Sequence, residues 1–105
     1  MSELKYTLRG DLTKNIDGHT LYRIEALKDF SDVKKGDLGG FVESLRNLSL
    51  SDDCWIYDDA VVYEYAFVYG KAKIHDKALL KGQVRVFDEA EISNNAKIEG
   101  CANIY

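Results

Sequence analysis

The chain contains no proline, two cysteines and one methionine. Without proline its backbone amides remain available as donors, which suits a protein built mostly from sheet ladders. Two cysteines without a CxxC spacing suit a reducing compartment. No run approaches the ~18 apolar residues that a membrane crossing needs. The N-terminus, MSELKYTLRGD, lacks the apolar stretch of a signal peptide. The expected location is therefore the cytoplasm, with no membrane association. Histidine is scarce as well, at two residues, so few groups are at hand for acid–base chemistry near neutral pH.

What is abundant is a period. Stepping by six from Cys54 gives Ala60, Ala66, Ala72, Ala78, Val84, Ala90, Ala96 and Ala102, all small or apolar. Stepping by six from Ile56 gives Val62, Val68, Ile74, Leu80, Val86, Ile92, Ile98 and Ile104, all β-branched or leucine. A fixed six-residue period over 48–105 predicts a parallel β-helix. Residues one and three of each hexad point inward and residue two outward, because side chains alternate along a strand. Position five is Asp, Asn or Gly at Asp58, Gly70, Asp76, Gly82, Asp88, Asn94 and Gly100. These residues tolerate the left-handed backbone of a corner. Three sides of six residues make one coil, so about three coils follow. Cys54 and Cys101 then stand about two and a half coils apart, roughly 12 Å at ~4.8 Å per coil, too far for a disulfide.

Residues 1–47 show no such period. Lys5 to Arg9 alternate like a strand. Asp17-Gly18 is a hairpin turn signal, followed by the strand formers His19 to Leu27. Residues 28–40 are rich in turn formers, with Gly36, Gly39 and Gly40 at a tight entry. The division expected is an N-terminal β-hairpin cap over 1–47 and a hexad β-helix over 48–105. A solenoid needs its first edge covered, and the cap supplies the cover.

The pairs Ile56 and Ala60, Val62 and Ala66, Ile74 and Ala78, and Ile92 and Ala96 place an aliphatic residue at i and a small one at i+4. This pattern resembles the hexapeptide-repeat family of left-handed parallel β-helices, and the resemblance implies a left-handed coil. The entry Gly36-Asp37-Leu38-Gly39-Gly40-Phe41-Val42-Glu43-Ser44, followed by the repeats, is similar to small phage and prophage proteins of that fold, mostly without an assigned activity. The resemblance implies an all-β, three-coil β-helix with a short hairpin cap.

Many hexapeptide-repeat proteins are acyltransferases, which makes an acyltransferase-related protein one alternative. Its catalytic base would be His75, on an outward position. No insertion interrupts the hexads from Cys54 to Tyr105 to wall an acyl-donor pocket, so His75 reads as a surface residue and no enzyme activity is expected. Asp58, Asp76 and Asn94 share one corner column, too poor in oxygen ligands for a hard cation. No metal and no cofactor are expected.

Outward aromatics carry more. Tyr69, Phe87 and Tyr105 share one column at 18-residue spacing, with Phe67 beside Tyr69. Stacked rings brace neighbouring coils, and an exposed apolar stripe marks an interface. Trp55 and Tyr57 fall on a second side, and Val61, Tyr63 and Leu79 on the third. Net charge is −4, with the acid excess in 48–105. There Asp52, Asp53, Asp58, Asp59 and Glu64 precede Lys71, Lys77, Lys81 and Arg85, giving an acidic first coil and a basic second one. These are candidate docking patches for a protein partner, and the overall balance disfavours nucleic acid. The last hexad leaves Ile104 and Tyr105 at a bare edge, so either the chain is a truncation or another subunit covers that end; the expected homodimer meets tail to tail there, or laterally through Phe67, Tyr69 and Phe87. The reading that follows is a non-catalytic interaction protein. The phage-like resemblance suggests an inhibitor of a bacterial host or CRISPR-type defence complex as a special case. The other alternative is an assembly protein that stacks through its coil ends.

Overall fold

A computed structural model describes residues 4–50 and 52–105; Met1–Glu3, part of the segment read for a leader, and Ser51 lie outside the described residues. The cap comprises β1 (Tyr6–Ile16), β2 (His19–Ala26) and β3 (Leu38–Val42). Three full coils follow. They are β4 (Trp55–Ile56), β5 (Val61–Val62) and β6 (Phe67–Val68), then β7 (Lys73–Ile74), β8 (Leu79–Leu80) and β9 (Gln83–Val86), then β10 (Glu91–Ile92), β11 (Lys97–Ile98) and β12 (Cys101–Ile104). The first side of the prism continues the cap, in the order β1-β2-β3-β5-β8-β11. The second side is β4-β7-β10 and the third is β6-β9-β12.

All coil-to-coil pairing is parallel, with Val62 opposite Leu80, Ile56 opposite Ile74 and Val68 opposite Val86. The inward residues of the first two coils are fully buried, among them Cys54, Ala60, Ala66, Ala72 and Ala78 beneath Ile56, Val62, Val68, Ile74 and Leu80. Small residues are needed at the first inward position because three sides converge on a narrow core. Backbone amides reach the carbonyls of the next coil, as in Val61 N to Ala78 O at 2.9 Å and His75 N to Ile92 O at 2.7 Å.

Corners recur every six residues with positive φ, at Asp58, Glu64, Gly70, Asp76, Gly82, Asp88, Asn94 and Gly100. Glu64 is the one residue of this set outside the Asp/Asn/Gly class. Its place is explained by what its side chain does. The Gly82 amide donates to Glu64 Oε1 at 2.9 Å, just as Asp76 N donates to Asp58 Oδ2, Asn94 N to Asp76 Oδ2, and Gly70 N to Asp52 Oδ2. Each carboxylate thus holds the corner one coil above it. The Asp58-Asp76-Asn94 column is a structural ladder.

The cap departs from the sequence reading in two ways. β1 runs eleven residues, with a register shift between Arg9 and Thr13 that carries it past Gly10. At its far end Asp17 and Gly18 both take positive φ, as the two central residues of a type I′ hairpin require. And the prism begins before residue 48. β3 pairs in parallel with β5, Val42 opposite Val62, and Leu48 bridges to Val68. These partners are two residues further apart in sequence than later ones, because two extra residues lie between Leu48 and Ile56.

Asn47 anchors this first partial coil. It is fully buried, and its side chain accepts from the Glu43 and Ser44 amides and donates to the Glu64 and Ala66 carbonyls. Lys5 is buried too. Its ammonium donates to the carbonyls of Asp52 and Cys54 at 2.7 and 2.8 Å, and burial holds it below lysine's ordinary pKa.

Candidate docking face

Each side of the prism presents outward residues in rows of three, one row per coil. On the second side the cap covers the lowest row. Trp55 is buried against Phe30 and Tyr6 in edge-to-face contacts, and the Tyr57 hydroxyl donates to Asp32 at 2.6 Å. On the first side Val61 and Tyr63 are buried with Leu21 and Phe41 of the cap. The apolar residues that sequence alone left as exposed on these two sides are therefore mostly internal.

The third side is different. Its rows are Tyr65, Phe67 and Tyr69; Gln83, Arg85 and Phe87; and Cys101, Asn103 and Tyr105. Tyr69 and Phe87 stack at 5.2 Å and 12°, Phe87 and Tyr105 at 5.2 Å and 23°, and Phe67 lies 4.9 Å from Tyr69. The column is a ladder along the axis. It also stays at the surface, with Tyr65 69% and Tyr105 78% exposed and Phe67, Tyr69 and Phe87 half-buried. The Arg46 guanidinium lies over the Tyr65 ring at 5.2 Å. Ile104 points inward and is half-buried in the last coil.

Most of the charges assigned to docking patches have partners within the chain. Asp52, Asp58 and Glu64 cap corners as described, Arg23 pairs with Asp59 at 2.6 Å, and Lys81 lies between Asp17 and Glu99. Among the described residues, the structure gives the side chains of Asp53, Lys71, Lys77 and Arg85 no hydrogen bond or ion pair. The acidic-then-basic split of the coils is real along the chain, but folding consumes much of it.

His75 is half-buried, its ring stacked on Tyr57 at 4.5 Å and 14°, with Nε2 3.4 Å from Glu91 Oε1. One ring face is thereby closed. Among the described residues no cluster of three or more metal-ligating side chains gathers, and no helix is long and apolar enough to cross a membrane. Cys54 is buried and Cys101 exposed, both free.

A second cluster joins the hairpin tip to the coils, and no local sequence pattern marks it. His19 Nδ1 lies 2.7 Å from Glu43 Oε2, and Nε2 lies 3.5 Å from Glu64 Oε2. Tyr63, Asp17, Arg46 and Lys81 surround it. The hydrogen bond to Glu43, with the charges of Glu43, Glu64 and Asp17, raises the His19 pKa above 6.5. Burial pushes Glu43 upward, but the bonds from His19 and the Glu64 amide and the charge of Arg46 leave it below 4.5. A raised histidine stabilises fully below its unfolded pKa and loses that contribution as pH rises through the folded one. A lowered carboxylate stabilises above its unfolded pKa and loses that as pH falls. The tie is thus strongest between about pH 4.5 and 6.5. Thermal melts should show a decline from pH 6 to 8 that His19→Gln flattens; superimposable profiles would mean the tie contributes nothing.

No protein-family model matches this chain, and no curated protein matches it.

Proposed function

We propose that the protein is a non-catalytic binding module that docks a partner protein on its third side. The observation that carries this reading is selective cover. The cap buries Trp55, Val61 and Tyr63 of the lowest coil on two sides and leaves five aromatic rings exposed or half-buried on the third. Aromatic residues and arginine on a rigid, flat support are the composition of interface hot spots. An inhibitor of a bacterial host complex is the special case that the likeness to small phage proteins suggests, and it rests on that likeness alone.

Phe67→Ser combined with Phe87→Ser should keep the fold and weaken binding to a purified partner by about 100-fold, as loss of two hot-spot rings does. Lys97→Glu, on the first side, should leave binding unchanged. A host complex retained by wild type and Lys97→Glu but released by the double variant supports the reading. Equal retention by all three would sink it. Turnover of acetyl- or succinyl-coenzyme A, lost on His75→Ala, would restore the transferase alternative.

A second reading draws on the last coil, where Ala102 and Ile104 are half-buried and Tyr105 exposes a ring face. That surface accepts further β-structure, including a second copy in a two-fold dimer. Ile104→Lys with Tyr105→Ser should dissociate such a dimer, as read by sedimentation. A wild-type monomer at high micromolar concentration would end this reading.

A further inference from the structure

The nine outward residues in the rows of the third side include one charged side chain and no acidic one, while Arg46 lies at their edge over Tyr65, paired with Glu43. The first and second sides mix both signs, through Asp59, Lys77, Lys97, Lys81 and Glu99 on one and Asp53, Lys71, Lys73, Glu89 and Glu91 on the other. In a chain of net charge −4, an acid-free face is a departure. The single charge within its rows is Arg85, in the middle of the middle row.

Arg85 stands opposite Phe67 in the coil below and Asn103 in the coil above. It is exposed, and among the described residues no carboxylate pairs with it. It separates two shallow depressions. One is lined by Tyr65, Gln83, Arg85, Cys101, Ala102 and Asn103 and measures ≈ 530 Å³. The other is lined by Tyr65, Phe67, Tyr69 and Arg85. A guanidinium framed by rings and carboxamides has its donors free, and its surroundings become dry once a partner covers the rings. A carboxylate is the group that matches its planar fork.

We infer that the third side recognises a protein surface that presents an aspartate or glutamate within an apolar or aromatic patch, with Arg85 as the receiving cation. The inference rests on the docking face proposed above and names the chemistry of its partner. A second copy of this face fits poorly, since a two-fold axis through the centre of the rows would set Arg85 against its own copy. A nucleic-acid strand fits poorly as well. It needs several unpaired cations along its phosphates, and this face offers Arg85 together with Arg46, which Glu43 already pairs, inside an acidic chain.

The test is selection from a displayed random peptide library on the immobilised full chain, as wild type, Arg85→Glu and Phe87→Ser. Wild type should enrich peptides with Asp or Glu beside apolar or aromatic residues. Arg85→Glu should exchange that acid for Lys or Arg and keep the apolar residues. A synthetic peptide selected on wild type should lose at least about 10-fold in affinity on Arg85→Gln, with the melting temperature unchanged. Peptides without acid enrichment, or an acid preference that survives Arg85→Glu, would overturn the inference and leave the docking face standing. No selected peptide at all, or peptides indifferent to Phe87→Ser, would overturn the docking face itself. A fluorescent oligothymidine bound by wild type and lost on Arg85→Gln would transfer the role of Arg85 to nucleic acid.

Discussion

Ile74→Asp should remove a large part of the protein's stability. Ile74 is fully buried at the centre of the prism, between Ile56 in the coil below and Ile92 in the coil above. The inner surface around it is aliphatic, so the new carboxylate would meet neither cation nor water. An unpaired buried charge costs about 3–5 kcal/mol, against a total of about 5–15 kcal/mol for a domain. Lys97→Asp, outward and exposed, should stay within about 0.5 kcal/mol. Urea unfolding followed by circular dichroism separates the two. Comparable midpoint losses would break the assignment of inward and outward positions.

Gly40→Ala should be nearly as severe, for a steric reason. Gly39 and Gly40 bring β3 close to the first full coil, where Phe41 N donates to Ala60 O at 2.9 Å. A methyl group on Gly40 would run into the Ala60 carbonyl oxygen and Ile56 Cγ2. One on Gly39 would lie 2.5 Å from Ile56 O and 2.7 Å from Ile24 Cγ1. Backbone oxygens in a ladder cannot step aside. β3 would have to withdraw, breaking the pairing that joins cap to prism, at about 2–4 kcal/mol. Gly10→Ala, with nothing near its added carbon, should be close to neutral. Hydrogen exchange gives the finer check, since Gly40→Ala should release the amides of β3 and of its partner in β2 first. Uniform acceleration through the third coil instead would place the effect elsewhere.

The period made the prism legible because inward packing depends on position alone. Ile56, Val62 and Val68 differ in sequence context, yet each meets the same dry interior. Corners were legible where Asp, Asn and Gly carry a left-handed backbone, and Glu64 escaped because glutamate is not a residue type that ordinarily signals one. Leu48 was read within the period, but its place ahead of the first full coil was hidden by the two extra residues before Ile56. Val42 was hidden in turn by the glycines that precede it. The proposed docking face was half legible. The ring column of Tyr69, Phe87 and Tyr105 follows from 18-residue spacing, as does Arg85 between Phe67 and Asn103. Which outward residues stay outward does not follow. Trp55, Val61 and Tyr63 are covered by a cap without a period, whose long-range docking leaves no mark in local pattern. The tie through His19 is of the same kind, since its partners lie 24 and 45 positions away.

The parallel ladder makes the length of the proposed docking face adjustable in fixed steps. Asp58 and Glu64 hold two corners of the second coil and Asp76 holds one of the third, but the backbone bonds from coil to coil recur at both seams, so the ladder can repeat by whole coils. A tandem copy of residues 71–88 would insert one more Gln-Arg-Phe row and lengthen the axis by ~4.8 Å, leaving the cap seam untouched. Recognition area on such a scaffold grows by whole rows, through duplication of a short stretch of coding sequence and without redesign of the core.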